Sequence, residues 1–279
     1  MEKNDKRATF LKRTRESVKV AIKSRDMLLA SVIRTTVDID KVSNLLSERL
    51  EEWYGIYFPE VIFDEKEKYP EFIIMFDKKN IDKKELAQLV GQKRTDEIVA
   101  KAERSLGTDL SDEDLSEIKA FAVRLLDLYK ARERYTTYLG KLGQEICPNM
   151  VAVAGTEVAA KLISHVGSLH RLAVLPASTI QVLGAETALF KHLKNKRIDP
   201  PKHGIIFQNV KISSSPKSVR GKIARLLANK LSLAAKADAF TKTNMTEKLK
   251  ADVEARYKEI MQQYEKGKSK NKSKNEDEQ

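Results

Sequence analysis

The segment 14–53 constrains the fold most. Its apolar residues Val18, Ile22, Leu29, Val32, Ile39, Leu46, Leu50 and Trp53 follow a three-four spacing, with small or polar gaps at Arg25, Thr36 and Ser43. That spacing predicts one helix. At 1.5 Å per residue, roughly 40 residues reach about 60 Å, which is too long for an ordinary globular helix and suits a coiled-coil arm. A partner helix is predicted over 111–146. Ser111-Asp-Glu-Asp114 has the form of a capping box, and Leu115, Ile118, Ala122, Leu125, Tyr129, Leu139, Leu142 and Ile146 continue the stripe. Two such helices around an insert, 54–110, predict an antiparallel pair. Within the insert, Lys83–Val90 reads as a helix with Asp82 as N-cap and Gly91 just past its end. Asp96–Leu106 reads as another, closed by Gly107. Phe72-Ile-Ile-Met-Phe76 is expected to pack the tip of the arm, and as a strand it would be too isolated to form a sheet.

Composition agrees with a helical chain. Only 11 of the 279 residues are Gly and 7 are Pro, which disfavours a loop-rich sandwich or barrel. Cys147 is the single cysteine, so neither an internal disulfide framework nor a cysteine zinc site can form. No uncharged apolar run approaches the length of a membrane span, about 18 residues, and the first residues lack the apolar core of a signal peptide. The expected setting is cytoplasmic, with no membrane partner.

The net charge of +12 is unevenly placed. Residues 1–145 carry 28 Lys and Arg against 28 Asp and Glu, whereas residues 146–279 carry 24 against 12. A balanced half joined to a basic half assigns protein contacts to the first and a polyanion to the second. The basic half opens at Cys147-Pro-Asn149, after which Gly and Pro punctuate short helices. Val219–Phe240 reads as a strong helix carrying Arg220, Lys222, Arg225, Lys230 and Lys236, and a last helix as about Thr246–Tyr264. The expected organisation is a basic N-terminal extension (1–13), a coiled-coil module (14–146), a compact helical basic domain (147–264) and a disordered charged tail (265–279). The fold class is all-α.

Enzyme chemistry is poorly represented. His165 and His170 are five apart, which is not a shared helical face for metal ligation. The chain contains neither HExxH nor a phosphate-loop motif. Cys147 beside a proline reads as structural rather than nucleophilic. No catalytic residue, metal site or cofactor is expected. The cations Lys12, Arg13, Arg15, Lys19, Lys23 and Arg25 read as a solvated helix face.

The basic loop carries more information. Lys191-His-Leu-Lys194-Asn-Lys196-Arg197 leads into Asp199-Pro-Pro-Lys202-His203-Gly204. Cations on a proline-stiffened loop hold phosphate oxygens at low ordering cost. Ser178, Thr179, Gln181, Gln208 and Asn209 add uncharged donors suited to base edges and ribose hydroxyls. An ordinary basic surface loop is the competing reading.

Long ungapped stretches resemble a known family. Leu175-Pro-Ala-Ser178-Thr179-Ile-Gln181-Val-Leu-Gly184-Ala185-Glu186-Thr-Ala-Leu-Phe-Lys191-His-Leu193 resembles the signature of the Nop domain. Pro201–Gln208, Arg220–Leu231, Ala234–Phe240 and, in the first half, Asp38–Tyr54 extend the likeness, which spans about Lys12 to Tyr264. The archaeal box C/D guide-RNP scaffold proteins are the most similar in appearance.

The resemblance implies a coiled coil that homodimerises, followed by a domain that binds a kink-turn guide RNA together with a small ribosomal-type kink-turn-binding protein. The assembly positions fibrillarin for ribose 2′-O-methylation. The family's GAEK stretch reads Gly184-Ala185-Glu186-Thr187, without the lysine. Its ALFR stretch reads Ala188-Leu-Phe-Lys191, keeping the charge but not the bidentate fork. Archaeal members begin with a fibrillarin-binding α/β domain, whereas this sequence enters the coiled coil almost at once. Fibrillarin is therefore expected only indirectly or through a separate subunit. Lys191, Lys194, Lys196, Arg197, Lys202 and Arg220 are the candidate phosphate contacts, with Lys222 and Arg225 beside them. Gln181, Glu186 and His203 are candidates for more specific contacts. The readings are a guide-RNP scaffold, a scaffold of another kink-turn RNP without methylation, or a protein-only adaptor.

Overall fold

The computed structural model describes residues 7, 9–16 and 25–276, with side chains to 268, and every regular element among them is helical. Residues 9–16 are helical, and α1 runs Asp26–Tyr54. Val18, Ile22, Lys19 and Lys23 lie outside the described residues, as does most of the basic extension. The elements that follow are α2 (Lys68–Met75), α3 (Lys83–Val90), α4 (Gln92–Ala102), α5 (Asp112–Ile146), α6 (Pro148–Ala154), α7 (Thr156–Val166), α8 (Leu169–Val174), α9 (Ala177–Val182) and α10 (Glu186–Lys194). A 3₁₀ turn (Ile205–Gln208), α11 (Val210–Ser213), α12 (Lys217–Lys236), a π turn (Ala237–Thr241) and α13 (Thr246–Glu276) complete the chain. The chain folds into two compact units, Thr35–Thr137 and the remainder.

In the Thr35–Thr137 unit, α1 and α5 run antiparallel, linked by Arg132 Nε donating to Asp40 Oδ1 and by Trp53 edge-on to Phe121. The α5 side of the seam follows the sequence pattern: Leu115, Ile118, Ala122 and Leu125 are buried. The α1 side does not. Its buried residues are Thr36, Ser43, Ser47, Leu50 and Tyr54, and two of these are positions that the apolar spacing skips as gaps. Ile39 and Leu46 are only half-buried, and Trp53 is 49% exposed. Positions 36, 43, 47, 50 and 54 keep a heptad register, with small side chains at the first three and Leu50 and Tyr54 toward the tip. Of the predicted stripe in this unit, Leu50 is buried, whereas Ile39, Leu46 and Trp53 are turned to the flanks.

The insert packs an aromatic cluster at the tip. Phe72 and Phe76 stack at 4.6 Å, Phe58 and Phe76 at 5.3 Å, and Tyr54 and Tyr57 are fully buried beside them. Phe72–Met75 is helical, within α2. Asp82 caps α3 as expected, accepting from the N–H groups of Lys84 and Glu85. α4 starts four residues before the expected Asp96, because the Gly91 carbonyl already accepts from Thr95 N and Thr95 Oγ1. It also ends earlier, at Ala102. Glu60 captures Ser105 Oγ and Leu106 N and draws the chain out of the helix. The capping box of α5 forms: Ser111 Oγ accepts from Asp114 N, and the Asp114 carboxylate accepts from Ser111 N.

The other unit is organised around α12, whose Ile223, Ala224, Leu227, Ala228, Leu231, Ala234 and Ala235 are buried against α6, α8, α9 and α13. The expected helix Val219–Phe240 is an α-helix only to Lys236. It widens into the π turn and stops at Lys242, in the left-handed region (φ 53°). The turn carries Asp238 to the start of α6. There its carboxylate accepts from Asn149 N, Asn149 Nδ2 and Met150 N, at 3.2, 2.7 and 3.0 Å. α13 continues past Tyr264 through the charged segment expected to be disordered. Lysine is a good helix former, and no proline stops it before Glu276.

Candidate nucleic-acid interface

A narrow neck is the first element of the site. α9 ends at Leu183, and the chain leaves for an excursion that returns at Gly204. The two ends are tied together: Gly204 N donates to Gln181 O (3.0 Å), Ile205 N to Leu183 O (2.7 Å), and Gln181 Nε2 to Lys202 O (2.8 Å). Two glycines permit this closeness. Gly184 has φ 84°, and a Cβ there would lie 2.6 Å from Ile205 Cγ1. A Cβ on Gly204 would run into the Leu183 carbonyl oxygen.

Beyond the neck stands a basic lobe, residues 185–200. Its helix α10 buries no residue, and Lys191, Lys194, Lys196 and Arg197 are all exposed. Glu186 in the first turn and Lys191 and Lys194 in the last complement the helix dipole. Glu186 Oε1 accepts from Gly184 N (2.8 Å) and meets His165 Nε2 on α7 (2.7 Å). Burial pushes the Glu186 carboxyl up, but the hydrogen bonds from the Gly184 and Glu186 N–H groups and from His165 outweigh it and hold the carboxyl below its usual range. As the partner is a carboxylate, His165 Nε2 is the donor.

At the foot of the neck, His203 stacks on Phe207 (centroids 4.4 Å, 15°), and the Arg220 guanidinium lies 5.3 Å from the same ring. Arg220 also donates to the carbonyls of Ser215 and Ser213, at 2.8 and 3.0 Å, which fixes its position and leaves other N–H groups free. Partial burial, then the charges of Arg220 and Lys202, depress the His203 pKa, so the ring is neutral at pH 7. The foot thus offers fixed cations, a neutral imidazole, an amide and, through Glu186, an acceptor.

The structure brings together Gln181, Gly184, Ala185, Glu186, Lys202, His203 and Arg220, with the lobe cations above them. Ser178 is exposed one helical turn before Gln181 on the same face, whereas Thr179 is half-buried and turned away. Lys222 and Arg225 are exposed on α12 beside Gly221, which faces the Lys202 side chain, but they sit on another side of the helix from Arg220. Two and five residues after Arg220, they lie about 200° and 140° around the helix from it. Three contributors escape a reading of the sequence. His165 attracts notice there only as a metal ligand, a role its spacing disfavours. Phe207 and Ile205 carry no signal until Gly184 and Gly204 are seen to close on them. Lys161 Nζ, donating to Glu157 Oε1 and Gln208 Oε1 at 2.6 Å each, occupies the amide oxygen of Gln208.

Comparison with known proteins gives consistent findings. The Nop family model, described as a snoRNA binding domain, fibrillarin, matches residues 35–259. A NOP5 family protein of Methanocaldococcus jannaschii is 41% identical over 256 residues, covering 91% of this chain and 61% of that protein. Nucleolar protein 58 of Candida albicans is 36% identical over 229 residues, covering 81% and 44%. The chain therefore spans less than two thirds of either relative. A chain in the crystal structure of a fibrillarin/Nop5p complex superposes with a TM-score of 0.54 at 26% identity, covering 92% of this chain and 78% of that one.

Proposed function

The chain belongs to the Nop family, and from that premise we propose that it is a non-catalytic scaffold of a box C/D-type kink-turn ribonucleoprotein that guides ribose 2′-O-methylation. The carrying observation is the convergence of Gln181, Glu186, Lys202, His203 and Arg220 at one neck, beneath a lobe of exposed cations. Cations supply phosphate contacts, whereas a neutral imidazole and an amide supply the donors that read bases and ribose. An acidic residue at such a place meets a protein or an RNA donor rather than a phosphate. In this reading the surface is composite, formed with an RNA already bent by a small kink-turn-binding protein. That protein absorbs the cost of ordering the kink.

The arm serves self-association in the same reading. Val42, Leu45 and Trp53 of α1, and Ile56 just past its end, are each about half exposed and available to an isologous dimer. Light scattering after size exclusion should give twice the chain mass at micromolar concentration. Fibrillarin is recruited through another subunit or segment, and these residues alone give no heat with it in calorimetry. The assembly is intracellular. Among the described residues, no helix is long and apolar enough to cross a membrane.

Gel-shift titration against kink-turn RNA, bare and preloaded with its binding protein, tests the proposal. Preloaded RNA should bind more tightly. Neutralising four to six phosphates would give a log–log salt slope of roughly −4 to −5. Lys202→Ala should weaken binding to all target RNAs alike and flatten the slope by about one. Equal affinity for the bare and loaded forms would overturn the composite surface.

A further inference from the structure

We propose that His165 is a positioning residue: through Glu186 it braces the basic lobe against the body of its unit and sets the pitch at which the lobe meets RNA. The inference rests on the RNA-binding reading of the lobe cations. Residues 185–200 form an appendage that the neck lets pivot. Both strands of the neck are tied to each other, at Gln181–Gly204 and Leu183–Ile205, so motion of the lobe breaks no bond there. Its helix α10 buries nothing. The lobe's other polar contacts are internal, such as His192 Nδ1 with the Ile198 carbonyl and Arg197 N to Asn195 Oδ1, or reach only the neck, as Ala185 N does at Val182 O. Among the described residues, the one side-chain hydrogen bond that leaves the lobe for the body beyond the neck is His165 Nε2–Glu186 Oε1.

The brace also has leverage. Glu186 is the first residue of α10 and is simultaneously held by Gly184 N at the pivot. A contact from α7 to that residue fixes the helix axis, and with it the places of Lys191 and Lys194 one to two turns further on. Without the brace the cations remain, but their geometry is spread over many lobe orientations. Binding must then select one.

Hydrogen exchange on the full chain reads the brace directly. His165→Ala should speed exchange of the α10 amides about tenfold, the equivalent of one charge-assisted hydrogen bond between half-exposed groups, and leave the amides of α12 unchanged. His165→Gln places an amide donor within reach of the same carboxylate and should restore most of the protection. In the gel-shift assay, His165→Ala should weaken binding to loaded kink-turn RNA by about tenfold without altering the salt slope, as no cation is lost. Unchanged α10 exchange, or equal acceleration in α12, overturns the brace. Faster α10 exchange with unaltered RNA affinity overturns its positioning role. If the wild-type protein binds no RNA while exchange responds as expected, the RNA reading falls and the brace stands.

Discussion

Arg132 Nε donates to Asp40 Oδ1 at 2.9 Å across the arm, in a seam where α1 buries Thr36, Ser43 and Ser47 before Leu50 and Tyr54. Both side chains are about two-fifths exposed, so the pair contributes modestly. A double-mutant cycle with Asp40→Ala and Arg132→Ala should give a coupling of about 0.5–1 kcal/mol by urea denaturation, falling with added salt. A coupling of several kcal/mol would mean that the pair is dry and governs arm stability, contrary to its exposure.

The neck predicts an order among glycine substitutions. Gly204→Ala drives a methyl group into the Leu183 carbonyl, a backbone atom that cannot rotate away. Gly184→Ala meets the Ile205 side chain at a positive φ. The first should cost about 1–3 kcal/mol and the second less, because a side chain can shift. Thermal denaturation of the two variants checks the order. A Gly204→Ala protein as stable as wild type would contradict the closed neck.

The start of α6 depends on a residue some 90 positions away. Asp238→Ala leaves the buried N–H groups of Asn149 and Met150 without their acceptor. The expected loss is about 3 kcal/mol in urea denaturation, against well under 1 kcal/mol for alanine at exposed Asn229. Similar effects at the two sites would remove Asp238 from its role.

Alkaline pH should weaken the arm. Burial pushes the Tyr57 phenol from 10.0 to about 12, and its O–H donates to Asp77 while its oxygen accepts from Lys78 N. Burial also raises Tyr54 and Tyr69. In each case the fold retains the neutral phenol beyond the pH at which the unfolded chain loses the proton. For Tyr57 that stabilisation is complete below about pH 10 and is lost as pH rises through about 12. Phenol ionisation followed by absorbance should coincide with loss of helicity. Full ionisation near pH 10 with the helices intact would show these rings to be solvated.

The helical class, the two long arm helices, the Asp82 cap and the Ser111 capping box are legible in the sequence because each depends on residues within one or two turns. The inner face of α1 is not. Apolar spacing marks Leu50 correctly but also picks the flank residues Ile39, Leu46 and Trp53, and only the pairing with α5 shows that Thr36, Ser43 and Ser47 join the seam. The ends of α4 escape for a similar reason, as Glu60 acts from more than 40 residues away. At the candidate site, the run 191–204 announces its cations, but the grouping of Gln181, Glu186 and His203 depends on the neck. Along α12, charge counting does not reveal that Gly221 faces Lys202 or that the carbonyls of Ser213 and Ser215 hold the Arg220 guanidinium.

Because the neck closes on itself below the lobe, and the His165–Glu186 contact holds only the first residue of α10, the body of the unit is insulated from changes in the segment past that helix. Residues 195–200 can be lengthened, shortened or recoded without moving the pinned carbonyls of Gln181 and Leu183, since loop length enters stability only logarithmically. A chain built this way can change which nucleic-acid surface it reads by altering a detachable tip, while the framework that folds it goes on unedited.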